Sequence, residues 1–163
     1  MENMDNQVQW DKEARVQRAK DLFMSGFNCS QSVVAAFADL YGFTQEQALK
    51  MSAAFGGGIG RMRETCGAAC GMFQLAGLEK GATEGPDRES KKETYALVQQ
   101  LAAAFKAHAG SIKCAEILKL RQGESLIPTP EARTPDYYAK RPCVKMVELA
   151  ARMWADYYES VKK

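Results

Sequence analysis

Apolar positions along this chain recur three or four residues apart, the spacing of one face of an α-helix, and strand-type alternation is absent. Val16, Ala19 and Phe23 form the first stripe, which Gly26 closes. Asn28, whose side chain can accept from the free amides of a first turn, opens a second helix with Cys29, Val33, Phe37 and Leu40 on one face before Gly42. Thr44 and Gln47 have capping-box spacing and start a third helix through Ala48, Met51 and Phe55, which stops at Gly56, Gly57 and Gly58. A fourth begins near Thr65, carries Cys66, Cys70 and Phe73 on one stripe, and ends around Gly77 and the GLEKG segment.

From about Arg88 to Ala109, Tyr95, Val98, Leu101, Ala102 and Phe105 trace a long amphipathic helix, which is expected to be the central packing element. Ser111 caps a short sixth helix containing Cys114, Ile117 and Leu118, and a proline-bearing loop follows across Pro128, Pro130 and Pro135. The last helix enters at Pro142 and aligns Cys143, Val147, Ala150, Trp154 and Tyr158. The pattern predicts a single all-α domain of about seven helices over residues 1–163, with no internal repeat.

At 163 residues the chain can bury one core without a disulfide or metal to hold it folded. Its 22 Lys and Arg against 20 Asp and Glu give a charge of +2, and no basic block is interleaved with aromatics, so nucleic acid is not an expected partner. The stretch MENMDNQVQWDKEARVQRAK lacks the order of a signal peptide, and no apolar run reaches spanning length. A cytoplasmic protein with no membrane insertion is expected.

In that reducing setting the cysteines Cys29, Cys66, Cys70, Cys114 and Cys143 read as redox, metal or catalytic candidates rather than structural bridges. Four of them follow a helix-start signal: Asn28 before Cys29, Thr65 before Cys66, Ser111 three before Cys114, and Pro142 before Cys143. The free amides and dipole of a first turn favour a thiolate. Four helix mouths converging on one site are expected.

GFNCSQSV, FGGGIGRMRETCGAACG, GSIKCAEIL and Cys143 within RPCVKMVELAA resemble the family of expected redox-active proteins labelled by the pattern C_GCAxxG_C_C. The likeness runs from about Gly26 to the last helix. It implies that the family's cysteines stand at Cys29, Cys66, Cys114 and Cys143, with the CGAxxG element at Cys66, Gly67, Ala68 and Gly71, while Cys70 occupies a variable position. It implies redox activity without a defined substrate. The family is also similar to the iron–sulfur-binding part of split-Soret-type cytochromes, although this chain has no CxxCH for covalent haem.

Three readings of the cysteines follow. The first is dithiol/disulfide exchange, with Cys66 as nucleophile, favoured by Arg61 and Arg63 upstream, and Cys29 as resolving partner, the connectivity of the four being open. The redox partner would be a protein or a small thiol or disulfide. The second is a four-cysteine iron–sulfur cluster or zinc site on Cys29, Cys66, Cys114 and Cys143, whose spacing matches none of the usual ligand motifs. The third treats each thiol as a small buried hydrophobe. An interaction protein switched by oxidation, without turnover, is a further class, so enzymatic activity stays open.

The run GGGIG lacks the ending of a P-loop and follows a helix rather than a strand. Gly57, Gly58 and Gly60, with Gly67 and Gly71, are candidate points of approach for a thiol partner or cluster, and a tight helix junction weighs slightly more. His108 suits an edge position, the eight methionines suit core filling, and Tyr137, Tyr138, Trp154, Tyr157 and Tyr158 suit packing of the last helix or a homodimer contact.

Overall fold

The computed structural model describes residues 10–120 and 127–162. The first nine residues of the polar amino terminus, and residues 121–126 of the proline-bearing loop, lie outside them. The fold is all-α. Among the described residues the helices are α1 (Lys12–Met24), α2 (Cys29–Ala35), α3 (Gln45–Ser52), α4 (Gly67–Lys80), α5 (Arg88–Ala109), α6 (Cys114–Ile117), α7 (Pro135–Lys140) and α8 (Cys143–Val161). Single 3-10 turns fill Ala38–Tyr41 and Ala53–Phe55.

The helix starts follow local chemistry. Gln31 N donates to Asn28 Oδ1 at 2.9 Å while Asn28 N donates to Gln31 Oε1 at 3.1 Å, and Thr44 and Gln47 repeat the reciprocal pair at 3.1 and 2.9 Å. Such a cap contributes about 1 kcal/mol. Two helices end sooner than the apolar spacing suggests: α2 stops at Ala35, so Phe37 and Leu40 fall in and beside the 3-10 turn, and α3 stops before Phe55, with Met51 exposed. Pro135 belongs to α7, not to a loop, because Thr134 accepts from Tyr137 N at 3.1 Å and proline fits a first helical turn.

The core is built from α1, α2, α4 and α8, with Phe23, Val33, Phe37, Met72, Leu75 and Trp154 fully buried. The expectation that α5 is central is corrected. α5 packs along α4 and touches α8, burying Leu97, Leu101 and Phe105 while Tyr95 stays 62% exposed. Its polar first turns, RESKKET, cannot be enclosed, whereas α4 is small and apolar on nearly every side and goes to the centre. A Cβ on Gly71 would stand 2.9 Å from Val33 Cβ, so that glycine sets how closely α2 and α4 approach.

Candidate functional site

Cys29, Cys114 and Cys143 are the first residues of α2, α6 and α8, and Cys66 is the N-cap of α4. All four line one cavity of about 60 Å³, walled by Phe23, Ile117, Leu118 and Met146 and by the polar side chains of Arg63, Arg133 and Arg141. The four helix mouths do meet. An isolated antiparallel bridge between Thr65 and Lys113 brings two of them together: Cys66 N donates to Ile112 O and Cys114 N to Glu64 O, both at 2.6 Å. Both cysteines sit one residue past the bridged pair, on the opposite side of the backbone from Thr65 and Lys113. Cys70 stands outside the cavity lining, with its thiol 3.7 Å from Thr65 O, and burial pushes its pKa up to about 11.

The chain between α3 and α4 is conformationally unusual. Gly57, Gly58, Ile59, Gly60 and Arg61 have φ of 66, 71, 65, 58 and 61°, and Arg63 has 61°. Left-handed backbone costs an L-residue about 1–2 kcal/mol, and it is rarest for a β-branched side chain such as Ile59. The turn is held by Gly60 N to Ala54 O at 2.7 Å, Arg63 N to Gly57 O at 3.2 Å and Glu64 N to Gly58 O at 2.8 Å. A Cβ on Gly58 would lie 2.5 Å from Cys114 Cβ, and one on Gly67 3.2 Å from Cys29 Cβ. These two glycines bring backbone against the thiols, while Gly60 opens onto an adjoining groove.

The thiols differ electrostatically. Cys29 and Cys143 act most strongly on each other's ionisation and are partly exposed; Cys66, Cys70 and Cys114 are buried. The neighbouring Cys29 thiol, followed by the charges of Arg141, Arg133 and Arg63, outweighs burial and lowers the Cys143 pKa from 9.0 to about 7. The neighbouring Cys143 thiol and desolvation raise the Cys29 pKa well above its ordinary value. Burial pushes Cys66 up to about 12 despite the amides of Ala69 and Ala68, and raises Cys114 against the opposing effect of Arg63, whose Nη1 is 3.7 Å from Cys114 Sγ.

The pKa shifts run opposite ways, down at Cys143 and up at Cys66, the nucleophile the sequence favours. The two upstream arginines do not fold back on Cys66 alone. Arg63 reaches Cys114, and Arg61 pairs with Glu131 at 3.6 Å. Sequence reasoning missed Arg133 and Arg141, and read Tyr137, which lines the cavity, only as packing of the last helix or a homodimer contact. Arg141 stands two residues before Cys143 and was findable by the same rule that picked out Arg63; Arg133 gives no local sign. Its guanidinium donates to Phe23 O at 3.0 Å and Phe27 O at 2.9 Å, and lies 4.5 Å from the Phe23 ring centroid and 5.0 Å from that of Tyr137.

The sequence model of the family described as "Putative redox-active protein (C_GCAxxG_C_C)" matches residues 27–157. The chain belongs to this family. No curated protein and no solved structure matches it. The match to this C_GCAxxG_C_C protein takes in all five cysteines, the left-handed turn and the three arginines of the cavity. No helix among the described residues is long and apolar enough to cross a membrane.

An iron–sulfur or zinc centre needs three or four donors gathered around the metal. Among the described residues no three Cys, His, Asp or Glu side chains are grouped closely enough to hold an ion. The four sulfurs share a cavity wall without forming a coordination shell. As placed, Cys29 and Cys143 form an interacting thiol pair, and the four sulfurs are not gathered as a metal's ligand set.

Proposed function

We propose that this C_GCAxxG_C_C protein exchanges two electrons through Cys29 and Cys143, reducing a disulfide as its own dithiol is oxidised. The observation that carries the reading is that the two partly exposed cysteines line one cavity with Arg63, Arg133 and Arg141 and act most strongly on each other's ionisation. The Cys143 thiolate attacks a substrate disulfide R–S–S–R, forming a Cys143–S–S–R bond and expelling R–S⁻. The Cys29 sulfur then attacks Cys143 and forms the Cys29–Cys143 disulfide. Its proton leaves on one of the two released R–S groups, so one departs as thiol and one as thiolate.

Cys66 and Cys114, protonated and facing the same cavity, stand behind this pair as an inner dithiol able to return electrons to it by exchange. The setting this chemistry requires is a reducing one such as the cytoplasm, with a small thiol or a partner dithiol closing the cycle. Adding one equivalent of a small disulfide to the reduced protein and mapping the product by mass spectrometry tests the reading. A Cys29–Cys143 bond is expected, and Cys143→Ser should leave the protein unreactive. A first-formed bond between Cys29 and Cys66 would return the nucleophile to Cys66 and refute the assignment.

A further inference from the structure

Beside the thiol cavity runs a second, more open groove of about 360 Å³. The two share Arg63, Arg133, Arg141, Tyr137, Asn28 and Gly57, so a molecule lying in the groove rests against the same side chains that wall the thiols. Arg61 completes a set of four guanidinium groups along its wall, opposed among the described lining residues by the single carboxylate of Glu131. From the geometry we infer that this groove binds the carboxylates of a small anionic disulfide and presents its S–S bond to Cys143. The inference rests on Cys143 being the reacting thiol.

Glu131 marks what the wall recognises. Its Oε1 lies 3.6 Å from Arg61 Nη2 and pairs with Arg141, an intramolecular carboxylate held between two guanidinium groups. That leaves donors over. Arg61 Nη1 is buried with no hydrogen-bond partner, and Arg63 has a thiol as its side-chain contact. Guanidinium is planar and matches carboxylate oxygens two at a time, which an ammonium cannot do. Arg133 is committed to backbone carbonyls and the Phe23 ring, so it contributes charge and shape. The volume lies at the small end of ligand sites and suits a small molecule. The same charges stabilise the departing thiolate, whose negative charge appears as the bond to Cys143 forms.

The atoms balance as in the exchange above: the disulfide accepts two electrons and leaves as one thiol and one thiolate, and the protein dithiol becomes the Cys29–Cys143 disulfide. The oxidant is the anionic disulfide itself.

The test is a charge series on the reduced full chain with 3,3′-dithiodipropionate, bis(2-hydroxyethyl) disulfide and cystamine, which carry negative, neutral and positive groups at the same distance from sulfur. Each rate is divided by that of the same disulfide with dithiothreitol, which removes differences in leaving-group reactivity. The expected order is anionic above neutral above cationic, with roughly tenfold between the first two at low salt, shrinking in about 0.5 M salt. Arg61→Gln and Arg141→Gln should each flatten the series, with melting curves confirming that they fold. Titration calorimetry of dithiodipropionate into Cys143→Ser should show binding that Arg61→Gln weakens. Equal normalised rates across the series overturn the inference and leave the thiol mechanism standing. Unchanged reactivity of Cys143→Ser overturns the mechanism itself. The series and its salt dependence are read on the unmodified protein, so a misfolded variant does not remove the test.

Discussion

Cys29→Ala removes the neighbouring thiol that does most to lower the Cys143 pKa and keeps every arginine. With a pKa of about 7, Cys143 is about half thiolate at neutral pH; at the ordinary value of 9.0 it would be about 1% thiolate. A less basic thiolate is also a weaker nucleophile, and a Brønsted coefficient of about 0.4–0.5 returns about eightfold of that roughly fiftyfold gain. The net advantage near pH 7 is thus about sixfold, an upper bound on what the variant can lose by this route. Its midpoint should rise above 7 and stop short of 9.0, because Arg141, Arg133 and Arg63 remain. Above the higher midpoint the order reverses, since the variant's more basic thiolate reacts faster. The assay is the pH dependence of Cys143 alkylation by iodoacetamide, followed by peptide mass spectrometry. Crossing profiles separate a pKa effect from a change in access, which would shift the whole curve one way. Arg141→Gln should raise the midpoint less than Cys29→Ala. A Cys143 midpoint that stays near 7 in Cys29→Ala, or earlier alkylation of Cys66 in the unmodified protein, would refute the reasoning.

Gly58→Ala places a methyl 2.5 Å from Cys114 Cβ and 2.7 Å from Arg63 Cα at a φ of 71°, and should cost about 2–4 kcal/mol in denaturant unfolding. A loss under 1 kcal/mol would show that the turn yields easily. Stability of the reduced protein should peak near pH 9. The depressed Cys143 contributes stability that is present above 9.0 and lost as pH falls through about 7, whereas the raised Cys66 contributes stability that is present below 9.0 and lost as pH rises toward about 12. Cys143→Ser should remove the rise and Cys66→Ala should reduce the fall; a flat profile in the unmodified protein would contradict both shifts. Protein purified without oxygen should be colourless and free of zinc, and visible bands that bleach on reduction would replace the dithiol pair with a cluster.

What was legible in the chain was what is local. Asn28 with Gln31 and Thr44 with Gln47 announce helix starts because both partners of each cap lie within four residues. The same rule put cysteines at the mouths of α2, α4, α6 and α8, and the meeting of those mouths is the site. Local signals could not rank the thiols. Cys66 and Cys143 each open a long helix just after an arginine, and what separates them is desolvation by the rest of the fold and a partner 114 residues away in Cys29. Arg133 was invisible for a similar reason, since it is fixed by carbonyls at Phe23 and Phe27 and by rings from α1 and α7. Length and an apolar stripe favour α5 as the central element, but its charged first turns keep it at the edge of the core.

The left-handed turn bears on how far the arginines belong to the chemistry. Ile59, Arg61 and Arg63 together carry about 3–6 kcal/mol of backbone cost at about 1–2 kcal/mol each, comparable with the whole net stability of a domain of this size. Glycines alone could make a tight connection from α3 to α4 without that penalty. The strained non-glycine positions instead include the two residues whose guanidinium groups stand at Glu131 and at Cys114, and the backbone is held there by bonds from Gly60, Arg63 and Glu64. A cost of this size in a structural linker is hard to account for. It is explained if placing positive charge over the thiols is what the turn is for, since in the relaxed right-handed form Arg61 and Arg63 would leave the chain in other directions and Cys143 would lose the part of the field from Arg63 that lowers its pKa.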